Sequence, residues 1–238
     1  MRIFAYGTPR SVRSTCLNGQ LVSGIAMAHT GFRKVTDMKI AVIGAGSVGG
    51  TLARGWAKKG HDVAFGVRSP SKHKGDIQAV SVADAAASAE IVVLATPWEA
   101  ASDAIREAGS LAGKVLLDCT NPLKPDLSGL ALSGDESGGE HVQRQASGAK
   151  VVKIFNTTGF DNMANPVYGN ERVTMLYCGD HTDAKQRAAQ LAADLGFDPV
   201  DAGSLSAARM LESFALLWIH LAIQQKMGRD FAFKVIRR

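Results

Sequence analysis

From residue 38 onward the apolar positions fall into short uninterrupted runs, each followed by a stretch with helical spacing. The first run, Lys39-Ile40-Ala41-Val42-Ile43, shows no polar alternation, as a strand buried on both faces of a parallel sheet requires. Similar runs recur at residues 62–67, 79–82, 91–95, 114–118 and 151–155, with helix-compatible segments between them. This alternation predicts an α/β fold with a doubly wound, Rossmann-type sheet. Residues 173–178 and 198–201 read as further strands, so the sheet is expected to extend past six strands in its C-terminal part. Between them, Thr182 is expected to cap an amphipathic helix that reaches Leu195 and stops at Gly196. Residues 205–225 predict a long apolar helix, with Met210, Leu211, Phe214, Leu217, Trp218 and Leu221 at helical spacing and His220 as a packed core or interface residue. That stripe is assigned to packing on the sheet and to a homodimer contact.

Residues 1–37 have neither helical nor strand periodicity and are punctuated by Gly7, Pro9, Gly19, Gly24 and Gly31. They are read as an extension outside the core: either a start codon placed too early, with Met38 as the true first residue, or an Arg- and Ser-containing targeting segment. The chain then divides into this extension (1–37), a Rossmann domain (38–165) and a small, partly helical C-terminal region for substrate and dimer contacts (166–238).

The first strand runs straight into Gly44-Ala45-Gly46-Ser47-Val48-Gly49, and that turn runs into a helix-compatible stretch. In such a strand–turn–helix unit the first glycine permits the tight turn, the second lets backbone approach a pyrophosphate, and the third lets helix pack on strand. Gly44, Gly46 and Gly49 take these roles, and the N–H groups at Ser47 and Val48 open a helix whose dipole favours an anion. An NAD-specific site ends its second strand in an Asp or Glu for the ribose hydroxyls. Here that position is followed through as Arg68-Ser69-Pro70-Ser71-Lys72. Arg68 can pair with a 2′-phosphate, Ser69 can donate to it and Lys72 adds charge, so NADP is the expected cofactor.

Ligands of such sheets bind beyond the carboxyl ends of the strands, which draws attention to three further turns. They are Thr96-Pro97-Trp98, Cys119-Thr120-Asn121-Pro122-Leu123 and Asn156-Thr157-Thr158-Gly159-Phe160. Thr96, Pro97, Asn121, Pro122 and Asn156 are expected on the cofactor, and Trp98, Leu123, Thr157, Thr158 and Gly159 on a small-molecule hydride acceptor. The same residues can also cap strand ends as Asx and Thr turns. Residues 124–139 form a long glycine-containing stretch, with Leu127, Leu130 and Leu132, that suggests a lid with an apolar underside. None of the six histidines falls in the three turns, and no Ser-Tyr-x-x-x-Lys set occurs, so no catalytic acid or base is assigned.

Composition and charge narrow this only slightly. The 238 residues are 46% hydrophobic and 21% charged, ordinary for a globular chain. Of the net charge of +5, the first 37 residues hold +4, so the folded part is nearly balanced and offers no basic face for nucleic acid. Cys16, Cys119 and Cys178 are widely separated and lack the paired spacing of a metal site, so they read as reduced thiols and no metal is expected. No uninterrupted apolar run approaches the roughly 20 residues that cross a bilayer. The longest, residues 214–223, contains His220. Neither a membrane nor a nucleic-acid partner is expected, and the protein is placed in the cytoplasm.

The glycine turn with Arg68, Ser69 and Lys72, the stretches 118–123 and 155–159, and the ending 211–238 together resemble the NADPH-dependent reductases of the deazaflavin coenzyme F-420. The resemblance covers nearly all of residues 38–238 and extends to the cytosolic reductase domains of six-transmembrane metalloreductases, which share the Phe-Asn-Thr segment. It implies hydride transfer between carbon 4 of NADPH and carbon 5 of F-420, or a flavin-like acceptor, with the two rings stacked in the crevice. Two other functions stay open: a module that binds NADP and reports it to a partner, and a reductase of an imine, a small carbonyl compound or a metal chelate.

Overall fold

The computed structural model describes residues 37–132 and 136–238. The extension read from the sequence therefore lies, except for Asp37, outside the described residues. Strands β1 (Lys39–Ile43), β2 (Asp62–Gly66), β3 (Ala79–Val80), β4 (Ile91–Leu94), β5 (Val115–Asp118) and β6 (Lys150–Lys153) are all parallel and lie in the order β3-β2-β1-β4-β5-β6. The sheet then grows as expected: β9 (Thr174–Gly179) pairs antiparallel with β6, and β10 (Asp198–Asp201) runs parallel to β9. A short hairpin of β7 (Val167–Tyr168) and β8 (Glu171–Arg172) stands apart from it.

The continuous apolar runs are explained by two cores. On β1, Ile40 and Val42 face the layer of α1 (Ser47–Lys58) and α6 (Thr182–Leu195), where Leu52, Trp56 and Leu191 are fully buried. Ala41 and Ile43 face the opposite layer of α2 (Val82–Ser88) and α3 (Trp98–Ala108), against Ala85, Ala86 and Ile105. Both faces exclude water, so no polar alternation survives.

Several boundaries differ from the sequence reading, each for a local reason. Val82 belongs to α2, because Ser81 accepts from Asp84 N at 3.1 Å and starts the helix there. His181, not Thr182, holds the cap position of α6, and its side chain makes no capping bond; Gly196 ends that helix in the left-handed region. Gly138 and Gly139 are helical rather than loop: Ser137 and Glu140 form a reciprocal capping box that opens α4 (Gly138–Gln145). Gly139 is required there, since an added Cβ would sit 2.8 Å from Cβ of Ala208. The described part of the expected lid is tied back by Leu123–Leu130 bridge pairing, by Ala131 N donating to Pro122 O, and by Gln224 donating to Leu127 O.

The expected C-terminal helix is three segments: a 3-10 turn (Leu205–Ala207), α7 (Ala208–Ile219) and a π turn (His220–Gln224). Taken together, Leu205–Gln224 has mean hydropathy 1.2 over its most apolar window and is long enough to cross a membrane. Averaging over the run thus departs from the reading based on unbroken apolar residues. Among the described residues it is the one helix that passes this test; 39% of the window is buried inside the fold.

A buried cation joins these layers. Lys153, at the end of β6, has no exposed side-chain surface and reaches Asp118 Oδ2 at 2.9 Å, Glu212 Oε1 at 2.9 Å and the carbonyl of Thr120 at 2.6 Å. Asp118 also accepts from the N–H and hydroxyl of Thr120. Glu212, on α7, accepts from the N–H groups of Gly138 and Gly139 at the start of α4. Burial pulls the Lys153 ammonium toward its neutral form, and the two carboxylates outweigh it, raising its pKa above the usual lysine value. Replacing Lys153 by Met would leave two buried carboxylates without their counter-ion. Urea unfolding at neutral pH should then show a loss of about 3–5 kcal/mol; an unchanged midpoint would remove Lys153 from this role.

Candidate dinucleotide site

The turn between β1 and α1 is built by steric necessity. Gly44 has φ +105°, and a Cβ on Gly49 would lie 2.0 Å from the carbonyl oxygen of Gly44. In front of Gly46, by contrast, nothing lies within 4 Å of the corresponding position. Gly46 is the N-cap residue of α1, which has no side-chain cap and no acid in its first turn. Ser47 and Val48 thus present free helix-start N–H groups to an open space, which fits the pyrophosphate of a dinucleotide.

Around that turn lies a cleft of about 500 Å³. Gly44 and Gly46 form its floor, Arg68, Ser69 and Lys72 one end, and Thr96 and Pro97 the start of the other. Pro70–Lys72 is a 3-10 turn in which Lys72 N donates to Ser69 O at 3.1 Å, so Ser69 and Lys72 flank one short loop. Among the described residues, Arg68 and Lys72 make no ion pair. An exposed guanidinium and ammonium at the end of β2 can receive a 2′-phosphate directly. His73 was not singled out by the sequence; it also lines the cleft, with its ring 5.0 Å from that of Phe65. Only its position one residue after Lys72 could have marked it.

Beyond β4, β5 and β6 the remaining turns meet. Asn121 Nδ2 donates to the backbone carbonyl of Asn156 at 3.0 Å, and Asn156 Nδ2 donates to Asn121 Oδ1 at 3.1 Å. Asn156 is buried, and its Oδ1, like Oγ1 of Thr96, has no hydrogen-bond partner. A buried acceptor left without a donor costs about 1–3 kcal/mol. The chain is also bent there: β6 stops at Lys153, short of the expected residue 155, and Phe155 takes φ +60°. The left-handed region costs a bulky residue about 1–3 kcal/mol. Phe155 is held in it by burial, with its ring 5.6 Å from Trp56 and 6.2 Å from Phe197.

The residues expected to meet an acceptor separate into two groups. Trp98 and Pro122 converge, since both ring systems lie 3.2 Å from a Cβ built at Gly138, and Leu123 adjoins them through its pairing with Leu130. His141 on α4 joins this group, its ring 5.4 Å from that of Trp98. His141 lies outside the three turns in the sequence, and only the folding of α4 brings it to Trp98. Thr157 is instead buried with its hydroxyl toward Met175 Sδ; Thr158 accepts from Asn162 of the short helix α5 (Phe160–Ala164), and Gly159 lies under the ring of Trp218. Burial pushes the thiol of Cys178 up to about 12 and that of Cys119 higher still, so neither offers a thiolate at neutral pH.

A parallel sheet in the order 3-2-1-4-5-6, a glycine turn opening an uncapped helix and a basic second-strand end define an NADP-dependent oxidoreductase of Rossmann type. Residues 39–122 match the family described as NADP oxidoreductase, coenzyme F420-dependent. The crystal structure of a candidate F420-dependent NADP reductase from Arthrobacter sp. FB24 is 34% identical, with TM-score 0.76, covering 84% of this chain and 100% of its own. The chain belongs to the F420-dependent NADP oxidoreductase family. Metalloreductase STEAP3 of Rattus norvegicus is 31% identical over 183 residues, 75% of this chain and 36% of its own length. The chain spans less than half of the curated metalloreductases it matches. A reductive aminase from Aspergillus terreus, 21% identical with TM-score 0.58, covers 80% of this chain and 63% of its own and shares the fold.

Substituting Arg68 by Ala should weaken NADPH binding about tenfold or more, the worth of a charge-assisted bond, and leave NADH binding unchanged. Titration calorimetry with both nucleotides reads this directly, and equal loss for the two would remove Arg68 from the 2′-phosphate.

Proposed function

We propose that the protein transfers a hydride between NADP(H) and a planar ring acceptor, the deazaflavin F-420 or a flavin-like compound, in the crevice beyond β4, β5 and β6. The observation that carries this is the chemistry of that crevice edge. Thr96, Asn121 and Asn156 are neutral, Trp98, Pro122 and Leu123 are apolar or aromatic, and the nearby thiols are held protonated. Such a surface can align two rings and exclude water, and His141, its ring 5.4 Å from that of Trp98, is the titratable group beside it. The bound nucleotide supplies the hydride at carbon 4 of its nicotinamide.

The chain's residues divide that work. Gly44, Gly46, Ser47, Val48 and Gly49 receive the pyrophosphate, and Arg68, Ser69 and Lys72 hold the 2′-phosphate. Thr96, Pro97, Asn121, Pro122 and Asn156 border the nicotinamide. Trp98 and Leu123 face the acceptor, and Thr158 borders it, while Thr157 and Gly159 support the turn from behind. The exposed apolar residues of the final helical run, Met210, Leu217 and Ile223, support a homodimer. With both sides of the reaction small and soluble, the cytoplasm is the proposed location.

Rapid mixing of the protein and NADPH with F-420, FMN and ferric chelates tests the assignment. Oxidation of NADPH with F-420 or FMN and not with the chelates is expected. Turnover with ferric chelates alone would move the function toward metal reduction. Tight NADPH binding without turnover of any acceptor would favour a sensing module.

A further inference from the structure

We propose that Asn156 Oδ1 is the acceptor for the carboxamide N–H of the nicotinamide ring, so that the turn after β6 reads the end of the cofactor opposite the 2′-phosphate. The proposal rests on the cofactor lying in the crevice with its phosphate at Arg68.

The orientation of both amides follows from one fixed bond. A backbone carbonyl can only accept, so the Asn121 atom at 3.0 Å from the carbonyl of Asn156 is its Nδ2. Asn121 therefore turns Oδ1 toward Asn156, and the Asn156 atom at 3.1 Å from it must donate. This leaves Asn156 Oδ1 on the other side of its amide, buried and without a donor, so that a ligand reaches it only as the turn after β6 shifts. Asn121 thus locks Asn156 as an acceptor, and a ligand that completes the pair must bring an N–H or O–H.

Two independent features place that ligand at the cofactor's far end. Asn156 follows Phe155, whose left-handed backbone redirects the chain at the end of β6 and persists because its ring is clamped in the core. Strained backbone next to an unsatisfied buried acceptor is a combination that ligand-holding positions show. The strand order also sets a scale. Arg68 follows β2 and Asn156 follows β6, four strand spacings along one sheet edge, about 19 Å at roughly 4.8 Å each. An extended ligand anchored at Arg68 spans that edge, and the outermost donor of NADPH is its carboxamide amino group. The free hydroxyl oxygen of Thr96, at the end of β4, lies on the path between.

The test compares NADPH with its 3-acetylpyridine analogue, in which a methyl group replaces the carboxamide amino group, in binding titrations without an acceptor. The native protein should favour NADPH about tenfold, one hydrogen bond to a buried group. Asn156→Ala and the closer-sized Asn156→Leu should bind the two nucleotides equally and retain the native preference for NADPH over NADH. Equal binding of NADPH and analogue by the native protein, which needs no variant to fold, would overturn the proposal. So would an Asn156→Ala protein that discriminates as well as the native one. Misplacement of the whole cofactor would show differently, as loss of NADPH and NADH binding in equal measure when Arg68 is replaced by Ala.

Discussion

Lys153 carries its positive charge where no water reaches it, and two separate parts of the chain arrange themselves around that fact. Asp118 ends β5, Glu212 sits on α7, and the carbonyl of Thr120 opens the turn toward Asn121 and Pro122. A buried ammonium tolerates no slack, because each lost partner leaves desolvated charge behind. The turn after β5 is thus fixed to β6 and to the C-terminal helix together. Glu212 also closes the start of α4, which brings Gly138 under Trp98 and Pro122. The crevice edge gets its shape from this charge cluster, although none of its members faces the crevice cleft.

The two ends of the crevice follow opposite physics. At the β2 end, Arg68, Ser69 and Lys72 are exposed, and the site works by long-range charge that salt screens and that any phosphate can feel. At the β6 end the groups are neutral, and the hydrogen-bonding atoms without partners are Thr96 Oγ1 and Asn156 Oδ1. In the proposed function, affinity for the nucleotide lies at one end and alignment of its reactive ring at the other. Phe155 ties the second end to the core, since the ring that supports its strained backbone packs between Trp56 of α1 and Phe197 before β10.

What the sequence made legible was local. The run from Lys39 to the glycine turn and helix carries its own meaning, because strand, turn and helix are adjacent in the chain, and Arg68-Ser69 follows the next strand directly. Contacts between distant segments were not legible. Nothing in the sequence pairs Lys153 with Asp118 and Glu212, and no periodicity announces that Asn121 and Asn156 share two hydrogen bonds. The start of α4 was legible in part, since Ser137 and Glu140 stand at capping-box spacing. The adjacent glycines hid it by reading as breakers, although packing against Ala208 is what requires Gly139. Thr157 shows the converse: adjacent to Asn156 in sequence, it turns its hydroxyl into the core at Met175.

The central claim, as proposed, is that hydride passes directly between two stacked rings that the protein aligns. NADPH carrying deuterium at carbon 4, prepared separately on each face, can be mixed with F-420 and the product read by mass spectrometry and NMR. The account predicts that label from one face appears at carbon 5 of the reduced deazaflavin and that label from the other face stays on NADP. Label released to solvent, or delivered from both faces, would contradict it.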